Sequence, residues 1–387
     1  MKKIFIVTGE HSGDIHASYV VRELKKLIPD VEIEAVGGKN LEAEGVKLFS
    51  DHSNMGVVGT DAIKAIFSHI MLGNNVVHYL KDQYKPDLVL LIDYGGFNLR
   101  LAKVLNENGI KVYYYISPQI WASRKGRLSK IKKYISKMML ILPFEEKIHK
   151  AAGVNAEYVG HPLVSQLQFD FNREDFINKN NLDLNKKIVG IFPGSRKMEI
   201  NYLLDIFLNA AAKVHSECKN IQFCIGQAAN INDDLFQSHL KKYPDLDIKI
   251  IKNQNHALLS CSDVLMLASG TITLEATLYK TPMVVSYKAP IIAYSLYRLL
   301  RYIEFVSLPN IIAGKKIVQE LLQFNAKPDL IAEEVLGLLN NNQKRNNMTA
   351  ELSKVKDQLG NKVSSYEVAR NIKEFLFMSS NILEKQK

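Results

Sequence analysis

The chain has 387 residues, of which 47% are apolar and 23% are charged. This length suits two domains, and the composition excludes a disordered chain because disorder requires fewer apolar side chains. The net charge of +10 predicts attraction to an anionic partner, such as nucleic acid, a phosphorylated substrate or an acidic lipid surface. Three cysteines, Cys218, Cys224 and Cys261, lie in apolar stretches without metal-ligand spacing, which indicates buried thiols in a reducing compartment.

The longest apolar segments are interrupted by charge before they reach the ~20 residues needed to cross a bilayer. The chain also opens on a strand-like segment, Met1 to Val7, with none of the features of a signal peptide. We therefore expect a cytoplasmic protein whose contact with any membrane is peripheral.

In the first half of the chain, short apolar runs alternate with longer segments of helical period, which is typical of buried parallel strands joined by helices. The predicted strands are Lys3–Thr8, Val31–Val36, Leu88–Asp93, Lys111–Ser117, Met138–Leu142 and Glu157–Val159. The predicted helices are Ile15–Leu27, Asp61–Leu80, Asn98–Asn108 and Phe144–Ala152. The pattern predicts a doubly wound α/β domain over residues 1–168.

A polar stretch from Phe169 to Lys187 suits a domain boundary, after which the pattern restarts. The predicted elements there are the strands Ile188–Phe192, Ile221–Ile225, Ile248–Ile251, Val264–Ala268 and Met283–Ser286 and the helices Glu199–His215 and Thr273–Tyr279. This second α/β domain covers residues 186–363, and we expect the C-terminal helix, 364–387, to join the first domain. Two such domains create a cleft at the carboxyl ends of their strands, where ligands bind.

The segment from Gly9 to Asp14 follows the first predicted strand and opens a helix, so it places backbone amides and carboxylates at the cleft. It is neither a dinucleotide fingerprint nor a P-loop, so a nucleotide cofactor in this half is not supported. An ordinary strand-to-helix turn would explain the glycines alone. It would not require Glu10, Asp14 and His16 together, and we take Glu10 and His16 as candidate catalytic groups.

Asp93 ends another buried strand and interrupts an apolar run at the cleft, which favours a functional acid. It is our first candidate for a general base. The alternative is a carboxylate that caps the next helix.

The segment Phe192-Pro193-Gly194-Ser195-Arg196 closes the first strand of the second domain. The small residues Gly194 and Ser195 expose backbone amides, and Arg196 adds a guanidinium, a combination suited to a phosphate. We expect Arg196 to hold a diphosphate.

A second anion-binding segment, from Ser269 to Glu275, follows a strand and opens a helix. Amides at Gly270 and Thr271 would point at the phosphates, and Glu275 could accept hydrogen bonds from ribose hydroxyls. The alternative is a Thr-capped helix with a solvated glutamate, which is common for any one such segment.

Basic residues without any acid fill the stretch from Trp121 to Lys137. They are Arg124, Lys125, Arg127, Lys130, Lys132, Lys133 and Lys137. The cluster indicates a patch for phosphate or an anionic membrane, and a solvated basic face is the open alternative. Because no RNA- or DNA-binding module accompanies the patch, we do not predict nucleic-acid binding.

Two apolar segments, 62–72 and 291–301, carry few charges, as expected of contacts with acyl chains or a membrane interface. Core helices have the same composition, so both interpretations stay open. Arg298 and Arg301 in the second segment could meet phosphates beside it.

Eight segments follow one another in a fixed order between Gly9 and Ile311: Gly9-Glu10-His11-Ser12-Gly13-Asp14-Ile15-His16, Ile92-Asp93 with Phe97-Asn98, Ser117-Pro118-Gln119-Ile120-Trp121-Ala122, Gly160-His161-Pro162, Phe192-Pro193-Gly194-Ser195-Arg196, Ser269-Gly270-Thr271 with Leu274-Glu275, Pro282-Met283-Val284-Val285, and Leu308-Pro309-Asn310-Ile311. Together they resemble the lipid A disaccharide synthase family of glycosyltransferases. In the family, Pro-Asp often precedes Phe-Asn, whereas this chain has Gly95-Gly96 and lacks that acid.

The resemblance implies a GT-B architecture, in which two Rossmann-like domains with parallel sheets face a central cleft. It implies transfer of 2,3-diacylglucosamine from UDP to 2,3-diacylglucosamine 1-phosphate, with inversion, a β-1,6 linkage and release of UDP. The residues then expected around UDP are Arg196, Gly270, Thr271, Glu275 and Asn310, with Glu320 and Gln323 as further cleft residues. Glu10, His16 and Asp93 would face the acceptor, and the enzyme would work on the anionic inner face of the cytoplasmic membrane.

No Asp-x-Asp motif stands in a suitable loop, so we expect no metal and no cofactor in the reaction. The nearest alternatives are another UDP-sugar transferase or a UDP-N-acetylglucosamine 2-epimerase of the same fold. A non-catalytic binder of anionic lipid or nucleic acid is the alternative of a different class. The sequence does not determine the oligomeric state, and a homodimer is one open outcome.

Overall fold

The computed structural model describes residues 1–51, 62–120, 126–290, 294 and 304–384, without the side chains of 62–68 and 379–384. The chain divides into two compact units. Unit 1 comprises Met1–Ser165 and Asn361–Lys387, and unit 2 comprises Gln166–Gly360.

Unit 1 contains a seven-stranded parallel sheet with the order β3-β2-β1-β4-β5-β6-β7. Its strands are β1 Lys3–Thr8, β2 Glu32–Gly37, β3 Lys47–Asp51, β4 Leu88–Ile92, β5 Val112–Tyr115, β6 Lys137–Leu140 and β7 Ala156–Tyr158. Strands β4 and β5 are buried along their whole length and β1 from its second residue onward, which explains why they consist of continuous apolar runs.

The helices of the first part of the chain are α1 His11–Leu27, α2 Lys39–Ala43, α3 Ala62–Tyr79, α4 Gly95–Glu107, α5 Arg127–Tyr134, α6 Pro143–Ala151 and α7 Pro162–Gln166. A π-helical turn, Leu80–Tyr84, extends α3. The C-terminal helix, Ser364–Glu384, belongs to the same unit, because its Val368 and Ile372 share a core with Ala17 and Val20 of α1. The Tyr115 hydroxyl also donates a hydrogen bond to Ser364 over 3.0 Å.

Unit 2 contains a six-stranded parallel sheet with the order β10-β9-β8-β11-β12-β13. Its strands are β8 Lys187–Phe192, β9 Ile221–Gln227, β10 Ile248–Lys252, β11 Val264–Ala268, β12 Met283–Tyr287 and β13 Gln319–Leu322. Its helices are α8 Arg173–Lys179, α9 Lys197–Glu217, α10 Asp233–Leu240, α11 Asn255–Cys261, α12 Ile272–Tyr279, α13 Leu308–Ala313, α14 Pro328–Asn340 and α15 Asn342–Leu359. The C-terminal helix of unit 1 is therefore α16.

The strand order reverses once in each sheet, between β1 and β4 in unit 1 and between β8 and β11 in unit 2. In doubly wound sheets, ligands bind outside the carboxyl ends of the strands at such a reversal. The prediction of two doubly wound, parallel α/β domains is confirmed.

Two strands, β3 and β13, were not predicted from the sequence. Both lie at a sheet edge, and the side chains of Lys47–Asp51 and Gln319–Leu322 are mostly half-buried and mixed in polarity. An edge strand packs on fewer neighbours, so it needs no continuous apolar run. Within the described part of the chain, no helix has the length and apolar character to span a bilayer.

Candidate active site

The chain takes an unusual conformation directly after β4. Asp93 and Tyr94 both have left-handed backbones, with φ of 50° and 49°. Non-glycine residues pay for this conformation in free energy, and such residues cluster at functional sites. The N-cap residue of helix α4 is Tyr94, without a side-chain capping bond, so Asp93 is not an ordinary helix cap. The turn lies at the strand reversal of unit 1, the edge where ligands bind in sheets of this type.

Two buried side chains hold this turn. The Asn98 amide donates hydrogen bonds to the carbonyls of Asp93 over 2.8 Å and Ile92 over 3.2 Å, and the Tyr114 hydroxyl also donates to the Asp93 carbonyl. Asn98 and Tyr114 are fully buried, so the donors are fixed by packing. These hydrogen bonds stabilise the strained backbone at Asp93.

The carboxyl group of Asp93 is suited to proton transfer. Burial raises the pKa of Asp93 above its ordinary value, the backbone N–H of Tyr94 works in the opposite direction, and the negative charge of Glu10 raises the pKa further. Glu10 itself is exposed at the start of α1. A carboxylate with a raised pKa is a stronger base than a solvated aspartate.

An apolar cavity of about 440 Å³ adjoins the same turn in unit 1. It lies between α3 and α4, and its lining includes His69, Ile70, Tyr94, Phe97 and Leu101. The Tyr94 hydroxyl and a ring nitrogen of His69 lie 2.7 Å apart, and the two rings stack with centroids separated by 5.8 Å. The cavity falls within the volume range of small-molecule sites.

His16, the third candidate catalytic group, lies in α1 with its Nδ1 atom buried and without a hydrogen-bond partner among the described residues. Burial lowers the pKa of His16 to about 4. Burial likewise lowers the pKa of His161 to about 3, with a contribution from the charge of His16, so the two imidazoles are neighbours. Both are neutral at physiological pH.

Asp14 has a structural role, although the sequence grouped it with Glu10 and His16. Its buried carboxylate accepts hydrogen bonds from the backbone N–H groups of Gly38 over 2.7 Å and Asn40 over 2.9 Å, and from the Asn40 side-chain amide over 2.8 Å. These donors stand at the start of α2, so Asp14 ties the β2–α2 turn to α1.

Of the basic residues predicted to face an acceptor or membrane, five lie in the described part of the chain: Lys130, Lys132, Lys133, Lys137 and Arg127, the residue that begins α5. Its guanidinium nitrogen is 3.5 Å from the point that a Cβ atom on Gly95 would occupy, and its charge lowers the pKa of Tyr114, which burial raises. Arg127 therefore lies close to the turn at Asp93. The other four, Arg124, Lys125, Arg298 and Arg301, lie outside the described residues.

In unit 2, the turn after β8 exposes the predicted phosphate-binding groups. Gly194 has a φ of +127°, the Ser195 N–H donates to Glu199 over 3.1 Å, and an Arg196 guanidinium nitrogen donates to the same carboxylate over 2.8 Å. The Arg196 side chain is 77% exposed. The turn stands at the strand reversal of unit 2 and at the start of the long helix α9.

The neighbouring strand, β11, leads into the second predicted anion-binding segment. Gly270 and Thr271 are exposed, and a Cβ atom on Gly270 would meet nothing within 4 Å, so the approach to these amides is open. Glu275 lies in the first turn of α12 and is half-buried. Burial raises the pKa of Glu275, and the charge of His256 opposes that shift. The alternative of a solvated glutamate therefore does not fit the structure.

The other three predicted UDP contacts have their side chains engaged inside unit 2. Glu320 accepts from the backbone N–H groups of Val306 and Ser307, the latter over 2.9 Å, and from the Asn310 amide over 2.8 Å. Asn310 is fully buried and bonded to the backbone of Val318.

The side-chain amide of Gln323 pairs with the backbone of Ala289. Its oxygen accepts the Ala289 N–H over 3.1 Å, and its nitrogen donates to the Ala289 carbonyl over 2.7 Å. All three side chains thus have protein partners, and their contact with UDP stays a prediction.

Sequence reasoning did not single out Tyr94, Tyr114 or Glu199. Their roles depend on backbone conformation and on contacts between side chains that the sequence does not specify. The one available signal was that Tyr94 directly follows Asp93, a predicted site residue. No cluster of three or more His, Cys, Asp or Glu side chains suited to a metal ion occurs among the residues described.

Solved structures of nucleotide-sugar enzymes have the same fold over nearly the whole chain. A UDP-GlcNAc 2-epimerase from Neisseria meningitidis, bound to UDP-GlcNAc, aligns with a TM-score of 0.65 at 14% identity over 96% of this chain and 100% of that chain. A ugt transferase from Siraitia grosvenorii in complex with UDP has a TM-score of 0.62 at 11% identity over 97% and 100%. At such identities the likeness shows the fold alone, which is the GT-B type.

The profile of the Lipid-A-disaccharide synthetase family matches residues 4–373. The lipid-A-disaccharide synthase of Syntrophus aciditrophicus is 37% identical over 93% of this chain and 94% of that protein, and the one from Nitrosococcus oceani is 38% identical over 92% of each. The chain belongs to this family and is a glycosyltransferase of lipid A biosynthesis. The epimerase and non-catalytic alternatives are thereby set aside.

Proposed function

We propose that this glycosyltransferase moves 2,3-diacylglucosamine from UDP onto 2,3-diacylglucosamine 1-phosphate, with inversion at the anomeric carbon and a β-1,6 linkage. Unit 1 binds the acceptor and unit 2 binds the UDP-sugar. The observation that carries the proposal is the partly buried carboxyl group of Asp93, held on a left-handed turn at the strand reversal of unit 1.

In this reaction Asp93 removes the proton from the 6-hydroxyl of the acceptor. The oxygen then attacks the anomeric carbon of the donor from the face opposite to the diphosphate, the bond to the diphosphate breaks, and UDP leaves. The raised pKa of Asp93, caused first by burial, supports this role because it makes the carboxylate a better proton acceptor. Glu10 and His16 are the remaining candidates for the base.

The departing diphosphate needs positive charge and hydrogen-bond donors. We assign this role to the turn at Gly194, Ser195 and Arg196 and to the start of α12 at Gly270 and Thr271. Ser195, Arg196, Gly270 and Thr271 are exposed, and both segments follow the strands that flank the reversal in unit 2. Donors fixed before the reaction stabilise developing charge without reorganisation.

Glu275 completes the proposed nucleotide site as an acceptor for the ribose hydroxyls. Its half-buried place in the first turn of α12 supports this role. Asn310, Glu320 and Gln323 contribute by holding the loops next to this site, as their internal hydrogen bonds indicate.

The apolar cavity between α3 and α4 suits an acyl chain of the acceptor. Its wall includes Tyr94, the residue after Asp93, so a chain bound there would lie beside the proposed base. Ile70 and Met71 on α3 are 50% and 52% exposed, which supports a contact between this helix and lipid. The net charge of +10 favours an anionic membrane surface, to which the enzyme would bind peripherally.

Product analysis tests the reaction. The purified protein is incubated in detergent with UDP-2,3-diacylglucosamine and 2,3-diacylglucosamine 1-phosphate, and mass spectrometry follows UDP and the disaccharide phosphate. Both products are expected in equal amounts, with a β-anomeric proton in the NMR spectrum of the disaccharide. UDP without disaccharide would show that the acceptor is wrong, and absence of both products would refute the proposed donor.

Membrane binding and assembly need separate measurements. We expect co-sedimentation with vesicles that contain anionic lipid and little with neutral vesicles, and recovery of the protein from the anionic vesicles at high salt. Equal binding to both vesicle types would contradict a role for charge. Light scattering after gel filtration measures the oligomeric state, for which a homodimer is one open outcome.

A further inference from the structure

The turn after β8 in unit 2 already contains an anion supplied by the chain itself. One carboxylate oxygen of Glu199 accepts the backbone N–H of Ser195 over 3.1 Å, and the other accepts an Arg196 guanidinium nitrogen over 2.8 Å. These are two of the donors assigned above to the diphosphate of UDP. The single N–H of Ser195 is contested by the Glu199 carboxylate and a phosphate, and the two groups, which carry charge of the same sign, repel each other beside Arg196.

Glycine at position 194 is what allows the carboxylate to close over the turn. A Cβ atom on Gly194 would lie 2.6 Å from both Cβ and a carboxylate oxygen of Glu199, a separation that real side chains do not adopt. The φ of +127° at Gly194 also disfavours any other residue. The contact is therefore built into the turn and is more than a chance encounter of surface side chains.

Ordinary helix capping does not explain the arrangement. In a capping box, a glutamate at the third helical position accepts the backbone N–H of the residue that caps the helix. Glu199 stands at the third position of α9, whose cap is Arg196, yet it bonds to the N–H of Ser195 and to the Arg196 side chain. It thus occupies the groups that face an incoming anion. Its side chain is 21% exposed, against 77% for Arg196.

We infer that Glu199 is an internal competitor of the diphosphate: its carboxylate holds the donors of the Gly194–Arg196 turn until UDP displaces it, and it closes again as UDP leaves. The inference rests on the proposed function, since it concerns the same nucleotide site. Competition of this kind reduces the apparent affinity for UDP to the intrinsic affinity multiplied by the fraction of time that the turn is free. It also gives the site a way to release its product.

The test compares UDP affinity, measured by calorimetry, in the full-length wild-type protein and in Glu199→Gln. Glutamine keeps an acceptor for the Ser195 N–H but loses the charge. We expect UDP to bind roughly 3- to 5-fold more tightly, which is the upper part of the range for loss of one exposed ion pair, and to dissociate more slowly in stopped-flow displacement. Glu217→Gln is the matched control, because it removes one charge at the exposed far end of the same helix and should leave the affinity within about twofold.

Two further variants keep the inference falsifiable. Glu199→Ala should also bind UDP more tightly than the wild type. If thermal unfolding shows that Glu199→Gln is not folded, the affinity is measured on Glu199→Ala instead. In an Arg196→Ala background, the gain from Glu199→Gln should shrink, because the competing ion pair is already absent. An undiminished gain there would overturn the inference, as it would reveal a general charge effect.

The outcomes separate this inference from the proposed function. Unchanged or weaker UDP binding by Glu199→Gln, with normal binding by the wild type, would overturn the role of Glu199 alone. A wild-type protein that does not bind UDP would overturn the proposed function, and the inference with it.

Discussion

The aromatic ring of Tyr94 lies against the backbone of Gly9, so closely that a Cβ atom on Gly9 would stand 2.2 Å from two carbons of the ring. Gly9 follows β1 and Tyr94 follows β4, the two strands at the reversal of unit 1. The contact therefore joins both sides of the proposed acceptor site. It also fixes the residue that follows Asp93.

Gly9→Ala should displace the Tyr94 ring and, with it, the left-handed turn. Overpacking of this kind costs about 1–3 kcal/mol, and a shift of the base by about 1 Å lowers the rate by up to ~10²-fold. We expect a lower melting temperature and a lower kcat, measured by thermal unfolding and by UDP release. Gly126→Ala is the control, since a Cβ atom there meets nothing within 4 Å. Equal activity in both variants would contradict the role of the contact.

The pH dependence of stability should reveal the raised pKa of Asp93. Burial, with Glu10 adding to it, raises this pKa in the folded protein above its ordinary value of 3.8. The stabilising contribution of the protonated carboxyl is therefore fully present below the unfolded pKa and is lost as the pH rises through the folded pKa. Asparagine does not ionise, so the Asp93→Asn variant does not lose this stability as the pH rises.

Asp93→Asn should accordingly unfold at a higher temperature than the wild type near pH 7, and the difference should shrink below the unfolded pKa of aspartate. Scanning calorimetry at several pH values measures this. Asp30→Asn, at an exposed turn of unit 1, controls for the loss of one charge. A lower melting temperature for Asp93→Asn across the whole range would mean that Asp93 is ionised and stabilising.

Asn310 should matter for stability more than for direct contact with UDP. Its side chain accepts the N–H groups of Ile317 and Val318 over 2.7 Å and 2.9 Å in a fully buried site. Asn310→Ala leaves these groups unsatisfied, at about 1–3 kcal/mol for each. We expect a marked fall in melting temperature, with little change for Asn325→Ala at an exposed position. A normal melting temperature with lost UDP affinity would instead indicate direct contact.

Removal of divalent cations should leave the reaction intact. We propose that the diphosphate is stabilised by Arg196 and by the backbone N–H groups that precede α9 and α12, which supply positive charge without a metal. The transfer rate with excess EDTA should equal the rate with added Mg²⁺. Full inactivation by EDTA, restored by a divalent cation, would show that this clamp is insufficient.

Much of the fold could be predicted from the sequence. Buried parallel strands such as β1 and β11 are continuous apolar runs, and their predicted limits, Lys3–Thr8 and Val264–Ala268, match the structure. The edge strands β3 and β13 were missed because half-buried side chains leave no comparable signal. Helix α4 begins at Gly95, three residues before its predicted start, since two glycines at its N-terminus conceal the helical period.

The candidate site was predictable in position more than in detail. Strand ends locate Asp93 and Arg196, because strand and turn positions follow from local pattern. The left-handed turn at Asp93, the Tyr94–Gly9 contact and the internal role of Asn310 depend on partners far apart in the chain. A single sequence carries no signal for such pairs, so the internal hydrogen bonds of Asn310 were not predicted, and its contact with UDP stays a prediction.

The transfer rate of Asp93→Asn is the most direct test of Asp93 as the general base. The variant is compared with the wild type and with Asp30→Asn at saturating donor and acceptor, and disaccharide formation is followed by mass spectrometry. If Asp93 is the base, kcat should fall by about 10²-fold or more while UDP affinity stays normal. An unchanged kcat in a folded Asp93→Asn protein would contradict the assignment and transfer the role to Glu10 or His16.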